Sequence, residues 1–264
     1  MTFARRVRLM LERLLSAQIT RVPAPFFPFR EPRGVDVTNI AVLRDPAFRR
    51  ALDAALPHTL LDTPRLANLW QLCRMSNPAG AVAEIGTYRG GGALLLSQAA
   101  PDRRLLVCDT FAGFKGQRLD GALDRLFTPE QFHDCSAEQV RALLTPYAAD
   151  FRVIEGAFPA SDLMGIVAGL SFVHLDVDIH DATLACLRHI AGRCVDRALV
   201  VVDDYRRGAD GCDRAVESFV REHRQWTGFP LYPGQALLVH RSWFADGCSR
   251  KRRSSGPRCG KKSL

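Results

Sequence analysis

Paired carboxylates follow two of the most apolar segments of the chain. In "FVHLDVDIHD" an apolar run leads to Asp176 and Asp178, and in "ALVVVDDY" a second run leads to Asp203 and Asp204. Carboxylates held close together at the ends of buried strands raise one another's pKa and cost free energy unless a cation neutralises them. Oxygen ligands without a His or Cys cluster suit Mg²⁺, Mn²⁺ or Ca²⁺. The pattern therefore predicts a divalent-cation site; the alternative is that these acids are exposed and cap the following helix and turn.

A glycine-rich loop, "EIGTYRGGG", follows an earlier apolar run and opens a helical pattern. Such a loop lets a ligand approach backbone N–H groups at a helix N-terminus. Tyr88 stands where a dinucleotide motif counted from Gly86 needs glycine, and Gly-Ala follows Gly91 where a P-loop needs Lys and Ser or Thr. Both phosphate-binding motifs are therefore disfavoured, and a plain tight turn remains the alternative to a ligand loop.

Asp109 adds a second signal, because it ends the next apolar run 23 residues after Gly86. An acid in that place can accept both hydroxyls of a ribose, and Glu84 can accept the ammonium of an amino-acid moiety. A ligand with a ribose and an ammonium but no phosphate is S-adenosylmethionine; the alternative is that both acids are helix caps or surface charges. The predicted cofactor site comprises Glu84, Gly86, Thr87, Tyr88, Gly90, Asp109, Thr110, Gly156 and Asp176.

Alternating strand and helix patterns must position these residues. Helical patterns separate most of the apolar runs, and continuous apolar strands covered by helices favour an α/β fold with a mostly parallel sheet. Thr63 is the expected N-cap of the helix before the first run, with Pro64 at its first position, and Ser136 with Gln139 forms a capping box. The predicted strands are 81–86, 104–109, 151–156, 171–176, 198–204 and 235–241.

The two ends of the chain differ from its body. Residues 2–18 have an amphipathic pattern that predicts a helix packed on the body or on a second subunit of a homo-oligomer; a lid or a membrane-surface contact are the alternatives. The basic segment 250–264 carries seven Lys and Arg and no acid, so the rest of the chain has +1 of the net +8. It predicts a disordered tail, with weak nucleic-acid or anionic-surface binding as the alternative. The expected division is 1–59 as an N-terminal helix and lid segment, 60–245 as the main domain and 246–264 as the tail.

Composition limits the classes of function. A hydrophobic fraction of 47% and a charged fraction of 24% are those of an ordinary globular protein. No apolar run approaches the roughly 20 residues of a membrane span, and we expect no secretion signal. Eight cysteines without a C-x-x-C pair favour a reducing cytoplasm. We expect a small-molecule substrate and no specific nucleic-acid partner.

Four segments, "EIGTYRGGGALLL", "VCDTFAGF", "HLDVDIHDAT" and "VVVDDYRRGADGCDRAVESF", resemble the macrocin O-methyltransferase family in sequence and in order. The resemblance covers roughly residues 60 to 240. It implies a class I, Rossmann-like methyltransferase fold with a seven-stranded sheet and helices on both faces. It also implies transfer of a methyl group from S-adenosylmethionine to a sugar hydroxyl or another small natural product, with Asp176, Asp203 and Asp204 as metal ligands. The first and last segments are also similar to catechol-type O-methyltransferases.

The chain departs from these families at several positions. Ile179 stands where catechol-type enzymes carry a catalytic lysine, and His180 stands where the macrocin family has an aromatic residue. The expected proton acceptor is therefore Asp176 or Asp178, with His133 or His180 as further candidates. Three alternatives stay open: an enzyme acting on a phenol or catechol, a non-catalytic protein that binds S-adenosylmethionine, and a nucleic-acid methyltransferase that uses the basic tail.

Overall fold

A computed structural model describes residues 42–159, 169–207 and 210–244. The predicted N-terminal helix, the proline-rich segment after it and the basic tail lie outside the described residues. Within them, no helix is long and apolar enough to cross a membrane.

Seven strands form one sheet of order β3-β2-β1-β4-β5-β7-β6. All neighbours from β3 to β5 pair in parallel, whereas β7 is antiparallel to both β5 and β6. The mostly parallel sheet that the sequence predicts is therefore confirmed. The strands are β1 Ala81–Ile85, β2 Leu105–Asp109, β3 Phe151–Glu155, β4 Leu170–Leu175, β5 Cys194–Val202, β6 Trp226–Leu231 and β7 Gln235–His240.

Two strands differ from the sequence-based expectation. β6 was not expected, because Gly228 and Pro230 interrupt its pattern and most of its residues are exposed at the edge of the sheet. β5 begins at Cys194, four residues before the predicted start, because its first four residues are not fully buried and do not form a continuous apolar run.

Helices cover both faces of the sheet. On one face, α1, α2, α3 and α4 pack on residues such as Val82, Phe172 and Val201. On the other, α5 and α6 pack on residues such as Val173 and Val200. The helices are α1 Pro46–Ala55, α2 Thr63–Met75, α3 Gly91–Ala99, α4 Ala137–Leu144, α5 His180–Ala191 and α6 Asp210–Glu222, with 3₁₀ turns at Leu56–His58 and Arg241–Phe244.

The helix starts test the capping predictions. The Ser136–Gln139 capping box is present at α4. The prediction of Thr63 as a cap is wrong: Asp62 is the N-cap of α2, because its carboxylate accepts the backbone N–H of Arg65, and Thr63 and Pro64 are the first two helical residues.

Helix α1 lies before the predicted boundary at residue 60, and it belongs to the same core as the sheet. Phe48, Ala51 and Ala55 are fully buried in the cluster that covers the α1–α4 face. The proposed division at residues 59 and 60 remains a prediction.

Candidate active site

The carboxyl ends of the parallel strands surround a cavity of about 230 Å³. In an open α/β sheet, this edge is where ligands bind. The predicted site residues that line the cavity are Glu84, Gly86, Thr87, Tyr88, Asp109, Thr110, Gly156, Asp176, Asp178, Asp203 and Asp204. Gly90 does not line the cavity. It is the N-cap of α3 and has a left-handed backbone conformation (φ +85°) that ends the glycine loop.

The glycine loop brings the backbone of β4 close to the end of β1. At Gly86 (φ +84°), a Cβ atom would lie 1.8 Å from the carbonyl oxygen of Asp176, so a side chain cannot be accommodated there. Glycine at this position therefore allows the chain after β1 to lie directly against the Asp176 backbone beside the cavity.

Asp109, at the end of β2, is held by two backbone donors. Its carboxylate oxygens accept the N–H of Tyr88 at 2.7 Å and that of Phe111 at 2.8 Å. Both donors have positive φ angles, +51° and +52°, which aim their N–H groups at the acid. Burial raises the pKa of Asp109, and these hydrogen bonds oppose the rise. Each oxygen retains a lone pair that fits a ribose hydroxyl.

Glu84 is 2% exposed and already has two side-chain partners. Its Oε2 accepts the Thr87 hydroxyl at 2.6 Å, and its Oε1 lies 2.9 Å from Nδ1 of His174. The carboxylate therefore reaches the cavity in a fixed orientation. The spare lone pairs of its oxygens are what remains for the ammonium of a cofactor.

The acids at the ends of β4 and β5 meet as predicted. Burial, followed by the charges of Asp203 and Asp204, raises the pKa of Asp176 well above its ordinary value. Burial also raises the pKa of Asp203 to about 6, although the nearby charge of Arg65 opposes the rise. Asp178 and Asp204 have positive φ angles of +62° and +56°. Such backbone conformations are costly for non-glycine residues and are typical of functional sites.

Arg65 supplies a positive charge to the acidic end of the cavity that the sequence does not predict. Its Nη1 contacts Oδ2 of Asp203 and lies 3.4 Å from Oδ1 of Asp204, and its side chain is only 7% exposed. Burial alone would lower the pKa of Arg65, but the carboxylates of Asp203 and Asp62 raise it above its ordinary value. No local pattern links Arg65, in the first turn of α2, with acids 138 and 139 residues further along the chain.

Arg65 neutralises part of the acidic site, and the remaining donors still fit a divalent cation. Asp176 belongs to two groups whose ligand atoms lie within 4.8 Å of one another: one with Asp178 and Asp204, the other with His174 and Asp203. Oδ1 of Asp203 is buried and lacks a hydrogen-bond partner. The predicted ligands Asp176, Asp203 and Asp204 are therefore divided between two groups that share Asp176.

The two histidine candidates lie at the periphery. His133 is exposed, its Nδ1 contacts the carbonyl oxygen of Glu130, and it does not line the cavity. His180 begins α5, where its Nδ1 lies 2.8 Å from Asp181. Of the predicted proton acceptors, the structure brings Asp176 and Asp178 to the cavity and leaves His133 outside it.

Three aromatic side chains that contact one another, Tyr88, Phe114 and Phe132, line part of the cavity. Phe132 packs edge-on against Tyr88 at 5.5 Å and against Phe114 at 5.7 Å, measured between ring centroids. The loop that carries Phe132 is anchored by buried Asp124, which accepts the backbone N–H of His180 at 2.9 Å. This loop is therefore an ordered part of the site.

The strand order, the single antiparallel strand near one edge and the cavity at the ends of β1, β2, β4 and β5 define a class I methyltransferase fold. A family model described as Macrocin-O-methyltransferase (TylF) matches residues 44–228. The chain belongs to this family of O-methyltransferases.

Solved structures share the fold at low sequence identity. The O-methyltransferase NovP is 19% identical, with a TM-score of 0.60 over 87% of this chain and 99% of that chain. The calicheamicin methyltransferase CalS11 is 16% identical, with a TM-score of 0.57 over 83% and 96% of the two chains. A Bacillus cereus O-methyltransferase in complex with SAH is 14% identical, with a TM-score of 0.51 over 75% and 91%. No curated protein matches the chain.

Proposed function

We propose that this protein is an S-adenosylmethionine- and divalent-cation-dependent O-methyltransferase that acts on a hydroxyl of a sugar moiety or another small natural product. The observation that carries the proposal is that one cavity is lined both by Asp109 and by the acidic cluster around Asp176. A ribose-binding acid and a cation-binding cluster side by side suit methyl transfer to an oxygen. Membership of the macrocin family, together with the names of NovP and CalS11, supports a natural-product acceptor.

In this proposal, residues at one end of the cavity bind the cofactor and residues at the other end bind the cation. Asp109 and the glycine loop bind the ribose, and Glu84 and Gly86 line the methionine end. The acids at the ends of β4 and β5 hold the cation, whose ligands we propose to include Asp176, Asp203 and Asp204. When bound, S-adenosylmethionine supplies the methyl group, and a divalent cation orients two acceptor oxygens and lowers the pKa of the attacking hydroxyl.

Proton removal falls to a carboxylate that reaches the acceptor. Asp176 and Asp178 both line the cavity, and Ile179 supplies no amine in the position where catechol-type enzymes carry lysine. Asp178 belongs only to the all-oxygen group, so it is the better-placed acceptor when Asp176 binds the cation. Leu60, Phe114 and Phe132 give the acceptor side an apolar lining that limits access of water.

The test is a transfer assay with methyl-labelled S-adenosylmethionine. The acceptors are a nucleotide-linked deoxysugar, a glycosylated macrolide and a catechol, each measured with Mg²⁺, with Mn²⁺ and with EDTA. We expect transfer to a sugar hydroxyl that stops with EDTA and resumes when metal is restored. Transfer to catechol alone would support the phenol or catechol alternative, and cofactor binding without transfer to any acceptor would support a non-catalytic protein.

A further inference from the structure

The carboxyl end of β4 carries a histidine whose position points to a metal ligand. His174 is fully buried and precedes Asp176 by two residues, so the alternation of a strand places both side chains on the same face of the sheet. Its register partners are Glu84 on β1 and Val201 on β5. Asp203 follows Val201 by two residues on that face. His174 itself does not line the cavity, but Glu84 at the cofactor end and Asp203 at the acidic end both do.

Glu84 fixes the orientation of the imidazole ring. Nδ1 of His174 lies 2.9 Å from Oε1 of Glu84, and a carboxylate oxygen accepts, so the hydrogen of this contact belongs to Nδ1. A neutral imidazole in this tautomer presents a lone pair at Nε2. Metal-binding histidines typically donate their other ring N–H to a carboxylate, as His174 does here.

One unpartnered atom meets this requirement: Nε2 of His174 is buried and has no hydrogen-bond partner. Oδ1 of Asp203 also makes no hydrogen bond of good geometry, although the Gln235 amide lies close enough to the Asp203 carboxyl to lower its pKa. Leaving such atoms unpaired in a protein interior is costly. Ligand atoms of His174, Asp176 and Asp203 all lie within 4.8 Å of one another. Arg65 contacts Oδ2 of Asp203, so a second cation would bind at Oδ1, in competition with the nearby Gln235 amide.

We propose that His174, Asp176 and Asp203 form a mixed nitrogen–oxygen site for a divalent first-row transition ion, such as Mn²⁺, Fe²⁺ or Co²⁺, with Glu84 as the outer carboxylate that orients His174. This inference rests on the cation requirement of the proposed function and changes its ligand set. Imidazole suits transition ions, whereas Mg²⁺ favours oxygen ligands. The site therefore binds Mn²⁺ more tightly than Mg²⁺, and the all-oxygen group of Asp176, Asp178 and Asp204 is the competing position.

The experiment uses the full chain with Mn²⁺ alone, without cofactor or acceptor. Pulsed electron paramagnetic resonance detects the coupling of bound Mn²⁺ to the ¹⁴N nucleus of a coordinated imidazole, and titration gives the dissociation constants for Mn²⁺ and Mg²⁺. We expect a ¹⁴N signal in the wild type and a Mn²⁺ affinity at least about tenfold above that for Mg²⁺. His174→Gln should remove the signal and weaken Mn²⁺ binding at least about 10-fold, because loss of an outer partner of a metal ligand alone costs about 10- to 100-fold.

Two control variants make the result specific. His189 also has an unpartnered Nε2, but it lies on α5, on the opposite face of the sheet, where it packs against Phe158. His189→Gln should therefore keep both the ¹⁴N signal and the Mn²⁺ affinity. Asp178 belongs only to the all-oxygen group, so Asp178→Asn should also keep the ¹⁴N signal. The ¹⁴N signal of Asp178→Asn therefore tests the proposed ligand set even when His174→Gln does not fold.

Three results would overturn the inference: Mn²⁺ bound without a ¹⁴N signal, Mn²⁺ binding lost in Asp178→Asn, or no Mn²⁺ binding at all. The transfer assay is separate from these measurements. Absence of methyl transfer with the ¹⁴N signal intact would overturn the proposed function and leave the metal site standing. Transfer that needs no metal, by a protein that binds none, would overturn the site and leave the methyltransferase.

Discussion

Asp109 and Asp203 are both buried carboxylates at strand ends, but different kinds of group hold them. Asp109 is bound by backbone N–H groups 2 and 21 residues away in the chain. Asp203 is bound by the charged side chain of Arg65, 138 residues away. The cofactor end of the cavity is therefore organised by neutral backbone donors, which most substitutions leave in place. The acidic end depends on one buried cation, so single substitutions should disturb it far more.

The largest effect on stability is expected from Arg65→Met. Removing the buried guanidinium leaves the buried carboxylate of Asp203 without its ion-pair partner, and breaking a buried ion pair in this way costs about 3–5 kcal/mol of unfolding free energy. Chemical denaturation in EDTA measures the change.

Arg207→Met is the matched control for Arg65→Met. Arg207 also approaches Asp204, at 3.4 Å, and Asp62, at 3.6 Å, but its side chain is 37% exposed. We expect this variant to change the unfolding free energy by no more than about 1 kcal/mol. Equal losses in the two variants would mean that Arg65 is not the dominant cation of the acidic end.

The next largest effect is expected from Asp203→Asn, and it concerns activity. Asparagine keeps the shape of the side chain but removes the charge, so the acidic end loses a metal ligand. Methyl transfer should fall about 100-fold, whereas the dissociation constant of S-adenosylmethionine, measured by calorimetry, should change less than about twofold because Asp109 and the glycine loop are untouched. A parallel loss of cofactor affinity would show that the two ends are not independent.

The difference between local backbone partners and a distant side-chain partner also explains which residues the sequence could predict. Gly86 and Asp109 belong to short motifs in which the strand end, the turn and the acid are close in sequence, so their positions follow from the order of the elements. Asp176 and Asp203 were predicted to meet because the carboxyl ends of parallel strands lie at one edge of the sheet. The α/β class and the mostly parallel sheet followed from the same pattern of apolar runs.

Arg65 and His174 were not predicted, for two different reasons. Contact between Arg65 and Asp203 depends on how α2 packs across β5, which no spacing in the sequence specifies. His174 did leave a signal: it precedes Asp176 by two residues in "HLD", so both side chains share one face of β4. The predicted ligand set is all oxygen because no His or Cys cluster stands along the sequence, whereas the proposed role of His174 depends on alternate positions of a strand.

A smaller effect is expected from Asp109→Asn, which tests the cofactor end. The amide offers one accepting atom in place of two, so either the Tyr88 or the Phe111 N–H loses its partner, and the ribose loses a charged acceptor. Hydrogen bonds to charged groups contribute about 1.5–3 kcal/mol, so the dissociation constant of S-adenosylmethionine should rise about 10-fold or more. Mn²⁺ affinity should not change, and a variant in which both affinities fall together would contradict the division.

The smallest effect is expected from Gly92→Ala, in the first turn of α3. A Cβ atom at this position would lie 2.0 Å from Oε1 of Glu84, so the Glu84 side chain must move. Overpacking of this kind costs about 1–3 kcal/mol, part of which the helix propensity of alanine offsets. Gly192→Ala is the control, because nothing lies within 4 Å of its Cβ position and its φ is −85°.

Thermal unfolding and both ligand affinities should be measured on the two alanine variants. Cofactor affinity should fall several-fold in Gly92→Ala and remain unchanged in Gly192→Ala, and equal behaviour would contradict the role of Glu84. Mn²⁺ affinity should fall as well, because Oε1 of Glu84 is the atom that orients His174. Unchanged Mn²⁺ affinity in Gly92→Ala would contradict the proposed role of Glu84 in orienting His174.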